Sequence, residues 1–193
     1  MKPSFVFLAN GFEEIEALAT VDTLRRAQME VYTVSVHEDF VVTGAHGISV
    51  RADRVFTDTD FADADWLIVP GGMPGATNLH EYEPLNMLLR NHAAAGKNIA
   101  AICAAPAVVL APLGILDKKE ATCYPGFEDA CRDNGAVMRD SPVIVSGNVV
   151  TGNGPASAMR FALEIVQKAC GELRAREVGS GMLYYPKTMN FYF

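Results

Sequence analysis

The chain has 193 residues, half of them hydrophobic and a fifth charged, with 16 Lys and Arg against 23 Asp and Glu for a formal charge of −7. This composition excludes a disordered segment, a collagen-like repeat and a nucleic-acid arm, since no basic run exceeds Arg25-Arg26 or Lys118-Lys119. By size scaling, folding removes roughly 70% of the extended chain's surface from water, enough core for one domain spanning 1–193 without metals or disulfides.

An apolar, aromatic run at residues 4–9 predicts a first strand, followed by a helix over 13–28 and a strand over 31–36. The apolar run before Glu13 is too short for a signal-peptide core, and no uncharged stretch approaches the ~20 residues of a membrane span. The expectation is a cytoplasmic protein without membrane or nucleic-acid partners. Between about 41 and 55, Gly44 and Gly47 separate two strand-like runs and predict an inserted hairpin. A strand at 66–69, a helix at 83–95 and a strand at 99–102 continue the alternation. Residues 122–150 read as an irregular region of brief strands, with turns at Pro125-Gly126, Asn134-Gly135 and Gly147-Asn148.

A final helix shows a stripe of Ala158, Ala162, Ile165, Val166 and Ala169, with Pro155 suited to its first turn. Residues 171–193 form an aromatic extension in which Tyr184, Tyr185, Phe191, Tyr192 and Phe193 are five of the last ten residues. Such a tail is expected to pack on its own domain or on a partner. The alternation of strands and helices predicts an α/β fold, a mostly parallel sheet with helices on both faces.

In such a sheet ligands meet the carboxyl ends of the strands. One of these ends carries Cys103, between the apolar Ile102 and the small Ala104 and Ala105, with Pro106 placed for a first helical turn. That is a nucleophile elbow, where a helix N-terminus and free amides favour a thiolate. Glu16 has Phe12, Ala19 and Thr20 at helical spacing, which turns it inward, and a carboxyl buried beside Cys103 would stay protonated and donate to sulfur. Glu13 and Glu14 are expected to complement the helix dipole. The turn Gly71-Gly72-Met73-Pro74-Gly75 matches no nucleotide-binding pattern. Its expected use is to present the Gly72 N–H opposite that of Ala104 as an oxyanion pair.

The four cysteines contain no C-x-x-C pair and the four histidines no H-x-x-x-H pair, so neither a zinc cluster nor any other metal or cofactor is expected. Cys123, Cys131 and Cys170 lack the elbow context and read as packed hydrophobes. No histidine follows Cys103. Tyr124 occupies the next loop, and His46, in the hairpin, is within reach of the site from this chain or a symmetry mate.

Four stretches in register, Asn10 to Glu16, Pro70-Gly71-Gly72, Ala100 to Pro106 and Gly152 to Ala156, resemble the DJ-1/ThiJ/PfpI superfamily from about residue 2 to residue 170. The resemblance implies a flavodoxin-like sandwich, a homodimer, a protonated Glu16 and a low-pKa, oxidation-sensitive Cys103 ringed by the amides of Gly72 and Ala104. It implies cofactor-independent action on small reactive carbonyls, of glyoxalase or deglycase type. The alternatives are a non-catalytic redox sensor or protective protein working through Cys103 oxidation, and an amidase or peptidase. Ala104 stands where the peptidase branch has a histidine. Tyr124 and Asn153 stand where the parkinsonism-associated branch has a histidine and an arginine, and that branch has another arginine near His46. Gly71, Tyr124, Asn153 and His46 are thus the pocket candidates beside the catalytic pair.

Overall fold

Ser4–Leu8 (β1) is buried at all five positions, because apolar residues on both faces of a strand demand cover on both sides. The computed structural model describes residues 2–185. After β1 come α1 (Glu14–Arg26), β2 (Val31–Ser35), β3 (Val41–Thr43), β4 (Ser49–Arg51) and β5 (Arg54–Val55). Next are β6 (Trp66–Val69), α2 (Gly75–Glu81), α3 (Glu83–Ala94) and β7 (Asn98–Ile102). The second half holds β8 (Glu120–Ala121), α4 (Glu128–Asp133), β9 (Val137–Met138), β10 (Val143–Ser146), β11 (Val149–Gly152), α5 (Ala158–Cys170) and α6 (Glu172–Gly181).

Seven strands form one sheet in the order β10-β11-β7-β6-β1-β2-β5. All neighbours run parallel except β10, which pairs antiparallel with β11. Helices α1, α5 and α6 pack on one another, and α2, α3 and α4 group with the helical turn that follows β7. The result is the mostly parallel α/β sheet expected from the alternation, in the flavodoxin-like sandwich that the resemblance implied. The stripe on α5 is core, with Ala158, Ala162, Ile165 and Val166 buried. This end of the sheet places the carboxyl termini of β1, β6, β7 and β11 side by side, each followed by a loop.

Three regions differ from expectation. In the hairpin, β3 and β4 pair antiparallel with Val42 opposite Val50, but β5 leaves it and joins the edge of the main sheet beside β2. The cause is Asp53, whose Oδ2 accepts the Thr33 N–H and hydroxyl, both at 2.8 Å, and the Arg25 guanidinium at 2.6 Å. Residues 122–150 contain a helix, α4, that their turn-rich composition concealed. The extension begins with a helix, α6, and Gly179 leaves room there for the Tyr185 ring, whose Cε2 would lie 2.5 Å from a Cβ. Tyr184 meets Tyr185 edge to face, so this part of the tail packs on its own domain. Phe191, Tyr192 and Phe193 lie outside the described residues.

Candidate active site

Cys103 follows β7 directly and has φ of 65°, in the left-handed region that residues with a side chain seldom occupy. Its backbone is held from two sides: its N–H donates to Gly152 O at 2.9 Å and its carbonyl accepts the Tyr124 N–H at 2.8 Å. These bonds, from β11 and from the next loop, keep the elbow in its strained shape. The chain then winds through a π-helical turn at Pro106–Leu110, with Ala111 N–H donating to Pro106 O at 2.9 Å. An ordinary α-turn was expected there, and such wide turns recur at functional sites.

The turn after β6 lies directly against the elbow. A Cβ on Gly71 would stand 2.6 Å from the Cys103 Cβ and 2.8 Å from Glu16 Oε2, so only glycine lets the three residues meet. The backbone N–H groups of Gly72 and Ala104 lie by the Cys103 sulfur and favour its charged form.

Glu16, on the inner face of α1, is fully buried. Its Oε2 accepts the Gly71 N–H at 2.8 Å, Oε1 has no hydrogen-bond partner among the described residues, and the carboxyl interacts with the neighbouring Cys103 thiol. Burial pushes Glu16 up to about 7, against the thiol and amide hydrogen bonds that favour its charged form. Burial, followed by the charge and hydrogen bond of Glu16, pushes the Cys103 thiol up to about 12, although the Gly72 and Ala104 amides pull the other way. The lowered thiol pKa expected from the elbow alone is therefore corrected. Of the two groups Glu16 ionises first, and its charge then helps to hold the Cys103 thiol protonated.

Cys103 opens into a cleft of about 450 Å³ lined by Glu13, Ile15, His46, Gly72, Met73, Ala104, Tyr124, Phe127 and Pro155. His46 reaches this cleft from its own chain, with Nδ1 2.9 Å from Glu14 Oε2, and the two glutamates raise its pKa. Tyr124 is on the rim, its ring edge-on to Phe127. Among the described residues no histidine hydrogen-bonds to Cys103. Asn153 does not line the Cys103 cleft. It accepts the Ser157 hydroxyl and faces a neighbouring cleft lined by Cys123, Arg132 and Arg139. Glu13 and Glu14 stand at the start of α1, where they were expected to complement the helix dipole, and are also buried, with hairpin amides of His46 and Ile48 on Glu14. Sequence reasoning passed over Ile15, Met73 and Phe127 as cleft walls. Met73 alone had a signal, its place in the glycine-rich turn. Cys123 and Cys131 are buried, as expected of packed residues, and interact with each other.

The profile of the DJ-1/PfpI family matches residues 4–168. The chain belongs to that family. It is 34% identical to protein DJ-1 homolog B of Arabidopsis thaliana over 96% of its own length and 42% of that protein's. It thus spans about half the length of the plant relatives it matches. It is 36% identical to glutathione-independent glyoxalase DJR-1.2 of Caenorhabditis elegans, covering 80% of this chain and 81% of that one. With deglycase PH1704 of Pyrococcus horikoshii it shares 32% identity over 82% of this chain and 94% of that one. Among solved structures, oxidized Toxoplasma gondii DJ-1 superposes with a TM-score of 0.91 at 37% identity, covering 96% of this chain and all of the other. No helix among the described residues is long and apolar enough to cross a membrane.

Proposed function

We propose that the chain acts on small 2-oxoaldehydes such as methylglyoxal, in the manner of a cofactor-independent glyoxalase or deglycase, with Cys103 as nucleophile and Glu16 as proton carrier. The observation that carries this reading is the contact of the buried Glu16 carboxyl with a thiol that also receives two backbone amides. The nematode and archaeal relatives, named as a glyoxalase and a deglycase, support the same substrate class.

In the first step sulfur bonds to the aldehyde carbon as the carbonyl π pair moves onto oxygen. The Gly72 and Ala104 N–H groups receive that oxyanion, and Glu16 carries the proton given up by the thiol. Glu16 then protonates the oxygen. As a carboxylate, it takes the hydrogen of the attacked carbon as a proton and returns it to the neighbouring carbon through an enediol. Water cleaves the resulting thioester, releasing the hydroxy acid and restoring the thiol, so the net change is addition of one water. The cleft's mixture of Ile15, Met73 and Phe127 with few polar groups suits a small carbonyl compound.

The test is turnover of methylglyoxal by the intact protein and by its Cys103→Ser variant. Loss of turnover in the variant is expected, and equal slow turnover by both would sink the reading. A second reading rests on the same amides, which are placed to hold a sulfinate at Cys103 after peroxide oxidation. Mass spectrometry separates it: a two-oxygen gain confined to Cys103, in a protein inert toward methylglyoxal, favours redox sensing. A second copy of the chain is the partner this reading includes, because Ile15 and Met73, which line the cleft, are exposed apolar residues, as are Leu18 and Ile48.

A further inference from the structure

Glu13, Glu14 and His46 bring two carboxylates and an imidazole to one wall of the cleft, and we propose that they bind a first-row divalent transition metal, with Zn²⁺ the best match. One oxygen of each glutamate and one ring nitrogen lie within 4.8 Å of one another. His46 Nδ1 is 2.9 Å from Glu14 Oε2 and 3.5 Å from Glu13 Oε2. A tetrahedral zinc ion with bonds of ~2.0–2.1 Å needs ligand atoms about 3.3 Å apart, so the imidazole nitrogen already stands near the required spacing from each carboxylate.

The site is built by the fold. Glu14 is oriented by the hairpin backbone, its Oε1 accepting the N–H groups of His46 at 2.8 Å and Ile48 at 3.4 Å, which leaves Oε2 for the ring. Gly44 makes this approach possible, since a Cβ there would lie within 2.3 Å of Glu14 Oε1. Glu13 provides a second, independent observation. It is only 8% exposed, yet among the described residues its carboxylate accepts no hydrogen bond, and its polar neighbour is His46 Nδ1.

Burying two carboxylates side by side is costly unless a cation compensates them, and one imidazole supplies at most a single charge and one Nδ1 proton. A divalent ion satisfies both oxygens at once. The nitrogen donor favours zinc-like ions over calcium or magnesium, and three protein ligands leave a fourth position for water or for a ligand of the cleft. The His46 side chain is 68% exposed, so an ion can reach the site from solvent.

The inference stands apart from the chemistry of Cys103, and its test keeps the two distinct. Protein stripped with a chelator is titrated with Zn²⁺ by calorimetry and with Co²⁺ by its visible absorption. One equivalent should bind, at least about tenfold more weakly in His46→Ala and Glu13→Gln, and with unchanged affinity in Cys103→Ser. The exposed His46 side chain makes its replacement safe for folding, which circular dichroism checks. Unchanged affinity in His46→Ala, loss of affinity in Cys103→Ser, or no saturable binding below about 1 mM would each overturn the proposal.

Discussion

Glu16 and Cys103 stand 87 positions apart in the chain, and their side chains meet over Gly71, the one residue type whose lack of a Cβ lets both occupy the space. The two groups therefore titrate as a unit, and what happens to one proton decides what sulfur can do.

Alkylation of Cys103 in chelator-treated protein should be slow near neutrality and rise only in alkaline solution, because burial and the ionised Glu16 push the thiol up to about 12. In Glu16→Gln that charge is absent, so the inflection should move down, held above the ordinary thiol range by burial. Intact-protein mass after timed alkylation reads it, and an inflection unmoved by the substitution would show that Glu16 is not coupled to sulfur.

The same raised carboxyl makes a stability prediction with a definite sign. Glu16 has a folded pKa of about 7 against an ordinary 4.5, so the folded state binds the extra proton. Its contribution is fully present below 4.5 and is lost as pH rises through 7, at a cost of about 3 kcal/mol. Urea unfolding at pH 5 and pH 8, with chelator present, should show the wild type losing about that much relative to Glu16→Gln.

Gly71→Ala should damage the site more than its size suggests. The new methyl meets the Cys103 Cβ and the Glu16 carboxylate well inside contact distance. Overpacking of this kind costs about 1–3 kcal/mol, and the displaced pair should lose most methylglyoxal turnover. Melting temperature and turnover measured together check both effects, and a variant with full activity would remove Gly71 from the account.

Chemistry and stability should separate at two other positions. Leu163, buried on α5, should cost about 2–4 kcal/mol on change to alanine through lost burial and the cavity left behind, with the reactivity of Cys103 kept. Cys103→Ser should leave the melting temperature nearly unchanged while abolishing turnover. A large unfolding effect at Cys103 would show that the residue is held for packing.

Much of the fold was legible in the chain because local pattern and tertiary outcome agree. Residues 66–69 read as a strand and are β6, since four successive apolar residues can only be satisfied between two layers. The elbow was legible for a similar reason: an apolar strand ending in Cys103, followed by small residues and Pro106, leaves the chain one way to turn. Helix α4 was not legible, because its six residues are mostly charged and carry no apolar stripe.

The sequence by itself determined the order of strands and helices, the inward face of α1 that carries Glu16, and the position of Cys103 at the end of a strand. Hydrophobic periodicity and turn chemistry are properties of neighbouring residues, so they are written locally. Only the tertiary structure decided that β5 leaves its hairpin for the sheet edge, that Asn153 faces a different cleft, and that the Glu16 carboxyl meets the Cys103 thiol. It also decided that Glu13 and Glu14 meet His46, residues separated by more than thirty positions, beneath a hairpin that Gly44 allows to come close. Each of these depends on distance through space and on burial from water, which set the strength of a charge and which no run of neighbouring residues contains.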